Sequence, residues 1–145
     1  MAGLVAVLGA DRVLGVDAGA VADPARRVED LVQGLRAQYS VRDRGHASNL
    51  RLRHDQVGPG YGTLTPAARD ALLAAARHEG TVLDPVYTAK ALSGLAAAVG
   101  DGDIGRGDPV VFVHTGGLPG LFGHDVLSDP ALRLNGGAGS DREVS

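Results

Sequence analysis

The sequence predicts an α/β fold of three layers, in which helices cover both faces of a mostly parallel sheet. Short valine-rich apolar runs alternate along the chain with segments of helical periodicity. The runs at residues 12–18 and 109–113 are mainly apolar and rich in valine, a pattern typical of strands buried on both faces. The 145 residues, 44% of them hydrophobic and 21% charged, are typical of one globular domain. In such a fold the ligand crevice lies beyond the carboxyl ends of the strands.

The first third of the chain predicts a helix, a strand and a second helix. Residues 1–8 are small and apolar and predict a helix that no capping residue precedes. Residues 12–18 (RVLGVDA) predict a central parallel strand. Asp23 followed by Pro24 predicts the start of an amphipathic helix that ends near Tyr39.

The middle of the chain predicts a loop, a strand and a helix. Residues 40–49 are polar and aperiodic, as in a surface loop. Residues 50–57 alternate apolar and charged side chains, which predicts a half-exposed strand, and a glycine-rich turn follows at residues 58–62. Thr65 is a predicted N-cap, and Gly80 is placed to end the same helix in the left-handed conformation.

The last third predicts a helix, a loop and a buried strand. Residues 87–99 are alanine-rich and helical in pattern, and residues 101–108 (DGDIGRGD) form a solvated loop. Residues 109–113 (PVVFV) predict a buried strand that runs directly into residues 114–117 (HTGG). Residues 135–145 are small, polar and glycine-rich, which predicts a flexible tail.

The residue types present argue against several functions. A net charge of −3 leaves no basic face for nucleic acid. The absence of cysteine excludes disulfides, thiolate nucleophiles and cysteine-based zinc sites, and the five histidines lack the spacing of a metal-binding helix. No apolar run approaches the roughly 20 residues that span a membrane. We therefore expect no metal, nucleic acid or membrane partner and a cytoplasmic location.

Two features of the residue pattern could carry chemistry. Thr115 and the glycine amides after it lie where the crevice is expected, and they could contact an anion or a ring nitrogen, or simply form a tight connection. Tyr61 and Tyr87 fall at turns bounded by glycine or proline. They could act as general acids or bases, or could be half-buried rings with hydroxyls in water.

Three ordered stretches resemble one enzyme family. They are VGPGYGTLTP at residues 57–66, EGTVLDPVYTAKAL at residues 79–92 and DPVVFVHTGGLPGLFG at residues 108–123. Together they resemble the pyridoxal-phosphate enzymes that include D-cysteine desulfhydrase and 1-aminocyclopropane-1-carboxylate deaminase. The opening of the chain is similar to the helix and strand that follow the family's phosphate loop. The resemblance covers nearly all of this chain except its tail, but it covers only the C-terminal half of the enzymes in the family.

This resemblance implies a fold and a site. The fold would be that of the tryptophan-synthase-β-like domain, with residues 1–134 forming its C-terminal part. Tyr61 and Tyr87 would be the paired active-site tyrosines. Thr88 or Thr115 would face the pyridine nitrogen of the cofactor, with Gly116 also binding the cofactor. The deaminases are expected to carry glutamate where this chain has Thr88, so the resemblance favours the desulfhydrase-like members.

The resemblance also implies the reaction. It is the β-elimination of D-cysteine, or a related small D-amino acid, to pyruvate, ammonia and sulfide, with pyridoxal 5′-phosphate as cofactor. The complete enzyme is expected to be a homo-oligomer. The family's Schiff-base lysine lies in its N-terminal half, and Lys90, the one lysine here, matches a different position. We therefore expect a fragment, inactive alone, that pairs with the N-terminal half. The alternative is a non-catalytic product of a truncated or split gene that acts as a partner or binding module.

Overall fold

The computed structural model describes residues 1–41 and 49–125, and these contain five α-helices and two β-strands. In chain order the elements are α1 (Ala2–Leu8), a 3₁₀ turn (Ala10–Arg12), β1 (Leu14–Val16), α2 (Pro24–Tyr39), β2 (Arg51–Arg53), α3 (Pro66–Glu79), α4 (Thr88–Gly100) and α5 (Leu118–Phe122). None of the helices in these two ranges is long and apolar enough to cross a membrane. Most of the predicted loop at residues 40–49 and all of the predicted tail lie outside the described residues.

The two strands pair in parallel, as the sequence predicts. Leu14 is aligned with Arg51, and Val16 with Arg53. The Asp17 amide donates to the Arg53 carbonyl at 2.8 Å, so the ladder reaches just past β1. Both strands are shorter than the apolar and alternating runs that predict them. The carboxyl ends of both strands meet at one edge of the sheet.

Helices lie on both faces of this small sheet. Successive strand residues point to opposite faces. Gly15 faces the Met1 side chain, next to α1, whereas Val16 packs against Gly94 of α4. Helices α1 and α2 pack together, and so do α3 and α4. The described part of the chain therefore has an α/β arrangement.

Each helix pair has its own apolar cluster. Val5 on α1 and Val32 on α2 are fully buried, and Val13, which leads into β1, belongs to the same buried cluster. On the other face Ala68, Ala75, Leu83 and Ala89 form the cluster between α3 and α4, and Phe112 packs against it. Since the second cluster is mostly alanine, α3 and α4 approach closely.

The predicted helix caps are confirmed. The Asp23 carboxylate accepts a hydrogen bond from the Arg26 amide at 3.0 Å, and the Thr65 hydroxyl accepts one from the Ala68 amide at 3.2 Å. Gly80 ends α3 with φ of 62°, the left-handed conformation expected of a C-cap glycine. The sequence did not predict α5, a helix of one to two turns.

The prediction of a buried strand at residues 109–113 is wrong. The segment pairs with neither β1 nor β2, and Val111 is 87% exposed. Only Phe112 packs inward, against the cluster of α3 and α4. An apolar run indicates that side chains favour burial, but a central strand also needs a neighbouring strand on each edge. The two-stranded sheet of the described residues provides none for this segment.

A pair of helical glycines tests the packing of α4 on the sheet. A Cβ atom on Gly94 would lie 2.5 Å from Cγ2 of Val16, whereas one on Gly34 of α2 would meet nothing within 4 Å. We expect Gly94→Ala to destabilise the fold by about 1 to 2 kcal/mol through overpacking. Gly34→Ala, the matched control, should stabilise by roughly 0.5 to 1 kcal/mol. Urea unfolding followed by circular dichroism measures both, and equal effects would contradict the packing.

Candidate active site

The two predicted site tyrosines meet in space. Tyr61 lies in the glycine-rich turn before α3, and Tyr87 is the N-cap residue of α4. Their hydroxyl groups hydrogen-bond to each other, and their rings lie edge to face with centroids 6.1 Å apart. Tyr61 is 57% exposed and Tyr87 47% exposed, so the pair can meet a ligand from solution.

The tyrosine pair favours the protonated state of Tyr87. The pKa of Tyr87 is raised, first by the hydrogen bond with Tyr61, then by burial and by the charges of Tyr61 and Asp84. A raised pKa keeps the phenol neutral over a wider range of pH. Tyr87 is therefore suited to donate a proton or a hydrogen bond and is poorly suited to act as a base near neutral pH.

A buried carboxylate fixes the turn that carries Tyr87. The Asp84 side chain accepts hydrogen bonds from the amides of Val86 (2.9 Å), Tyr87 (2.8 Å) and Thr88 (2.8 Å). Burial opposes ionisation of Asp84, but the hydrogen bonds from the Thr88 hydroxyl and from these amides outweigh it and lower its pKa. The sequence analysis did not single out Asp84. The signal was there, because Asp84 precedes a proline and a helix, as Asp23 does.

The two threonines proposed for the cofactor lie in different environments. The Thr88 hydroxyl is buried, donates to Oδ1 of Asp84 at 2.7 Å and accepts from the Asp84 amide at 2.8 Å. Thr115 is exposed, and its hydroxyl makes no hydrogen bond to any described residue. The Gly116 amide donates to Nδ1 of His114 at 3.4 Å. Of the two hydroxyls, that of Thr115 is the one open to a ligand.

The HTGG loop is held beside the turn of Tyr87. The His114 ring donates through Nε2 to the Val82 carbonyl at 3.0 Å. Gly117 has φ of 113° and lies against the Asp84 carboxylate, so closely that a Cβ atom would overlap it. Farther along, Nε2 of His124 donates to the Gly62 carbonyl at 2.9 Å. The three stretches that carry the family resemblance thus converge.

Lys90 is a further polar group beneath this convergence. The residue is fully buried, and Nζ donates to the carbonyls of Val57 (2.8 Å), Gly60 (3.4 Å) and Ala18 (3.5 Å). Burial lowers the pKa of Lys90, and the charge of Asp17 opposes this shift. The sequence identifies Lys90 as the one lysine of the chain but does not reveal its contacts.

An aspartate and a histidine follow the two strands at the carboxyl edge of the sheet. Nδ1 of His54 lies 3.0 Å from Oδ2 of Asp17, whose Oδ1 accepts from the Gly19 amide at 2.7 Å. The sequence analysis missed this pair. Since Asp17 directly follows β1 and His54 directly follows β2, parallel pairing in register was the signal that could have found it.

Comparisons with known proteins agree with the resemblance. A family model described as "Pyridoxal-phosphate dependent enzyme" matches residues 1–116. Proteins named D-cysteine desulfhydrase from Salmonella paratyphi C (strain RKS4594) and Salmonella choleraesuis (strain SC-B67) are each 36% identical over 104 residues. The protein of that name from Salmonella schwarzengrund (strain CVM19633) is 35% identical over 105 residues.

These alignments cover most of this chain and a minor part of its relatives. Each spans 72% of the chain and 31% of the relative, so the chain covers about a third of the length of the curated relatives it matches. The family model covers a larger share of the chain, and it includes both tyrosines, Thr88, Thr115 and Gly116. The chain belongs to the family of pyridoxal-phosphate dependent enzymes.

Proposed function

We propose that this chain forms the C-terminal part of a pyridoxal-phosphate dependent lyase that acts on D-cysteine or a related small D-amino acid. The observation that carries the proposal is the meeting of Tyr61 and Tyr87 beside the Thr115 loop. The relatives named D-cysteine desulfhydrase support the substrate class. Because the chain covers about a third of these relatives, the activity belongs to an assembly with a further polypeptide segment.

The residues present fit one side of the cofactor. The exposed Thr115 hydroxyl is suited to the pyridine nitrogen, whereas the Thr88 hydroxyl is already bonded to Asp84. A neutral hydroxyl does not hold a proton on that nitrogen as a carboxylate would. The single lysine is buried and bonded to three carbonyls. The proposal therefore assigns the lysine that binds the cofactor covalently to a segment outside these 145 residues.

The tyrosine pair would handle a proton at the substrate. Pyridoxal phosphate, held at its pyridine nitrogen by the Thr115 hydroxyl, would supply an electron sink for the Cα–H bond of an amino acid, and a base of the further polypeptide segment would take that proton. Loss of the sulfur from Cβ as HS⁻ would then require one proton to form hydrogen sulfide. Tyr87, kept neutral by its bond to Tyr61, would supply that proton. Addition of water to the three-carbon remainder yields pyruvate and ammonia.

The proposal is tested by assembling the complete enzyme. The chain is fused to, or expressed with, the segment of the Salmonella choleraesuis relative that it does not match. We expect the assembly to bind pyridoxal phosphate and to release sulfide and pyruvate in equal amounts from D-cysteine. L-Cysteine and 1-aminocyclopropane-1-carboxylate are the comparison substrates. An assembly that binds the cofactor but releases no sulfide would contradict the proposed reaction.

The isolated chain is the matched control for cofactor binding. It is mixed with pyridoxal phosphate, reduced with borohydride and digested for peptide mapping. We expect no stoichiometric adduct on Lys90, because Nζ is buried and its donors are occupied. A specific pyridoxyl group on Lys90 would instead assign the covalent lysine to this chain and overturn the proposed division of the site.

A further inference from the structure

The buried ammonium group of Lys90 joins three segments that surround the tyrosine pair. Lys90 lies on α4, three residues after Tyr87. Two of its acceptors are the carbonyl of Val57, directly before the turn that carries Tyr61, and the carbonyl of Gly60 within that turn. The third, the Ala18 carbonyl, follows β1. One side chain thus links the elements of both tyrosines to the carboxyl edge of the sheet.

The contacts of Lys90 are chemically complete. An ammonium group has three N–H donors, and here three carbonyl oxygens lie within 3.5 Å of Nζ. No carboxylate is among these partners, and the Asp17 charge acts only at longer range. Neutral carbonyls that converge on a buried cation resemble the shell of a bound monovalent ion. A charge without a carboxylate partner is costly to bury, so these contacts must offset its desolvation.

We propose that Lys90 is the positioning residue of the tyrosine pair, its ammonium group acting as a built-in cation that holds the Tyr61 turn against α4. The importance of Lys90 to catalysis rests on the proposed function, whereas its contacts with the three carbonyls do not depend on that function. Gly58, Gly60 and Gly62 contribute no side chains, and the other bonds to carbonyls of the turn, from His124 to the Gly62 carbonyl and from the Thr63 amide to the Gly60 carbonyl, do not link it to α4. Loss of the cation should remove a donor from all three carbonyls, of which that of Gly60 keeps its bond from the Thr63 amide at 3.3 Å, and free Tyr61 from Tyr87.

The tyrosine pair itself gives the measurement, without cofactor or substrate. The chain has three tyrosines, so ¹³Cζ-tyrosine labelling yields three resonances, whose positions depend on hydrogen bonding of the phenol. Tyr61→Phe and Tyr87→Phe define the position of each partner when the pair is broken. In Lys90→Met, which keeps the aliphatic stem, we expect both resonances to move to those positions at neutral pH. Unchanged resonances in folded Lys90→Met would overturn the proposal.

A matched control separates positioning from loss of stability. Ser93 is buried on α4 and its hydroxyl donates to Oε1 of Gln56 at 2.7 Å. Ser93→Ala should lower the stability of α4 and leave the tyrosine resonances in place. Lys90→Ala opens space for an external ion, and ammonium chloride should return the resonances toward their wild-type positions, compared with sodium chloride at matched ionic strength. Failure of ammonium to do so would contradict the cation role.

A measurement on the unmodified chain covers the case in which the Lys90 variants do not fold. Labelling with ¹⁵N-lysine gives one side-chain signal, because Lys90 is the single lysine. At neutral pH we expect its ammonium hydrogens to exchange slowly, as bonded and buried donors do. Rapid exchange would overturn the proposal. These results are independent of sulfide release, so failure of the proposed reaction and failure of the positioning role are distinguishable.

Discussion

Tyr87→Phe in the assembled enzyme is expected to lower kcat for D-cysteine by about 10² to 10⁴-fold, the range typical of a lost general acid–base group. The phenyl ring keeps the edge contact with Tyr61 but has no hydroxyl to hold or transfer a proton. Cofactor absorbance should persist, because the side chain proposed to contact the pyridine ring is that of Thr115. Stopped-flow absorbance and sulfide release together measure binding and turnover.

Substitutions of the other two tyrosines provide comparisons for the loss of turnover in Tyr87→Phe. Tyr61→Phe removes the partner that raises the pKa of Tyr87, so we expect a smaller loss of turnover and an activity that falls at lower alkaline pH than in the wild type. Tyr39 ends α2, is 64% exposed and serves as the control. Turnover retained in both site variants but lost in Tyr39→Phe would show that the tyrosine pair has no catalytic role.

The HTGG loop gives a separate spectral comparison. Thr115→Val should alter the cofactor absorbance of the assembled enzyme, because it removes the hydroxyl proposed for the pyridine nitrogen. Thr88→Val should act mainly on stability, since that hydroxyl is buried against Asp84. The sequence named both threonines and favoured Thr115, because a residue that follows a predicted central strand is expected to point into the crevice. The structure distinguishes them because the Thr88 hydroxyl is already bonded to Asp84, four residues earlier in the chain, whereas the Thr115 hydroxyl is not.

Helix ends were predictable because their signals are local. Asp23, Thr65 and Gly80 each act on amides or carbonyls within about one turn of the chain, so the residue type and its spacing suffice. Residues 109–113 show the opposite case. Their apolar pattern is that of a buried strand, but the pairing of a strand depends on segments distant in sequence. The apolar run therefore predicted a buried strand, but no strand of the described residues pairs with it.

The residues of the candidate site also differ in whether sequence motifs or only contacts between distant segments identify them. The residues of the tyrosine pair were found because their motifs resemble a family, and their hydrogen bond closes a gap of 26 positions that no periodicity predicts. Lys90 and its acceptors are separated by 30 to 72 positions. A lysine in an alanine-rich helix is normally expected at the surface. Only the fold reveals that three backbone carbonyls surround it.

Asp84→Asn is expected to lower the free energy of unfolding by about 2 kcal/mol at neutral pH, since several hydrogen bonds to one buried charge are weakened together. The lowered pKa of Asp84 determines how its contribution to stability changes with pH. The pKa of Asp84 is lowered in the folded chain, so its contribution is complete above the unfolded pKa of about 3.9 and is lost as pH falls through the folded pKa.

The difference in stability between wild type and Asp84→Asn should therefore be largest near neutral pH and shrink below about pH 4, where the wild-type carboxyl also becomes neutral. Urea unfolding at several pH values measures it. Asp30→Asn is the control, because Asp30 is exposed on α2 and should change stability little. A difference that stays constant down to the lowest pH would mean that Asp84 acts through its shape alone. A difference that disappears with acid instead identifies its charge as what holds the turn of Tyr87 in place.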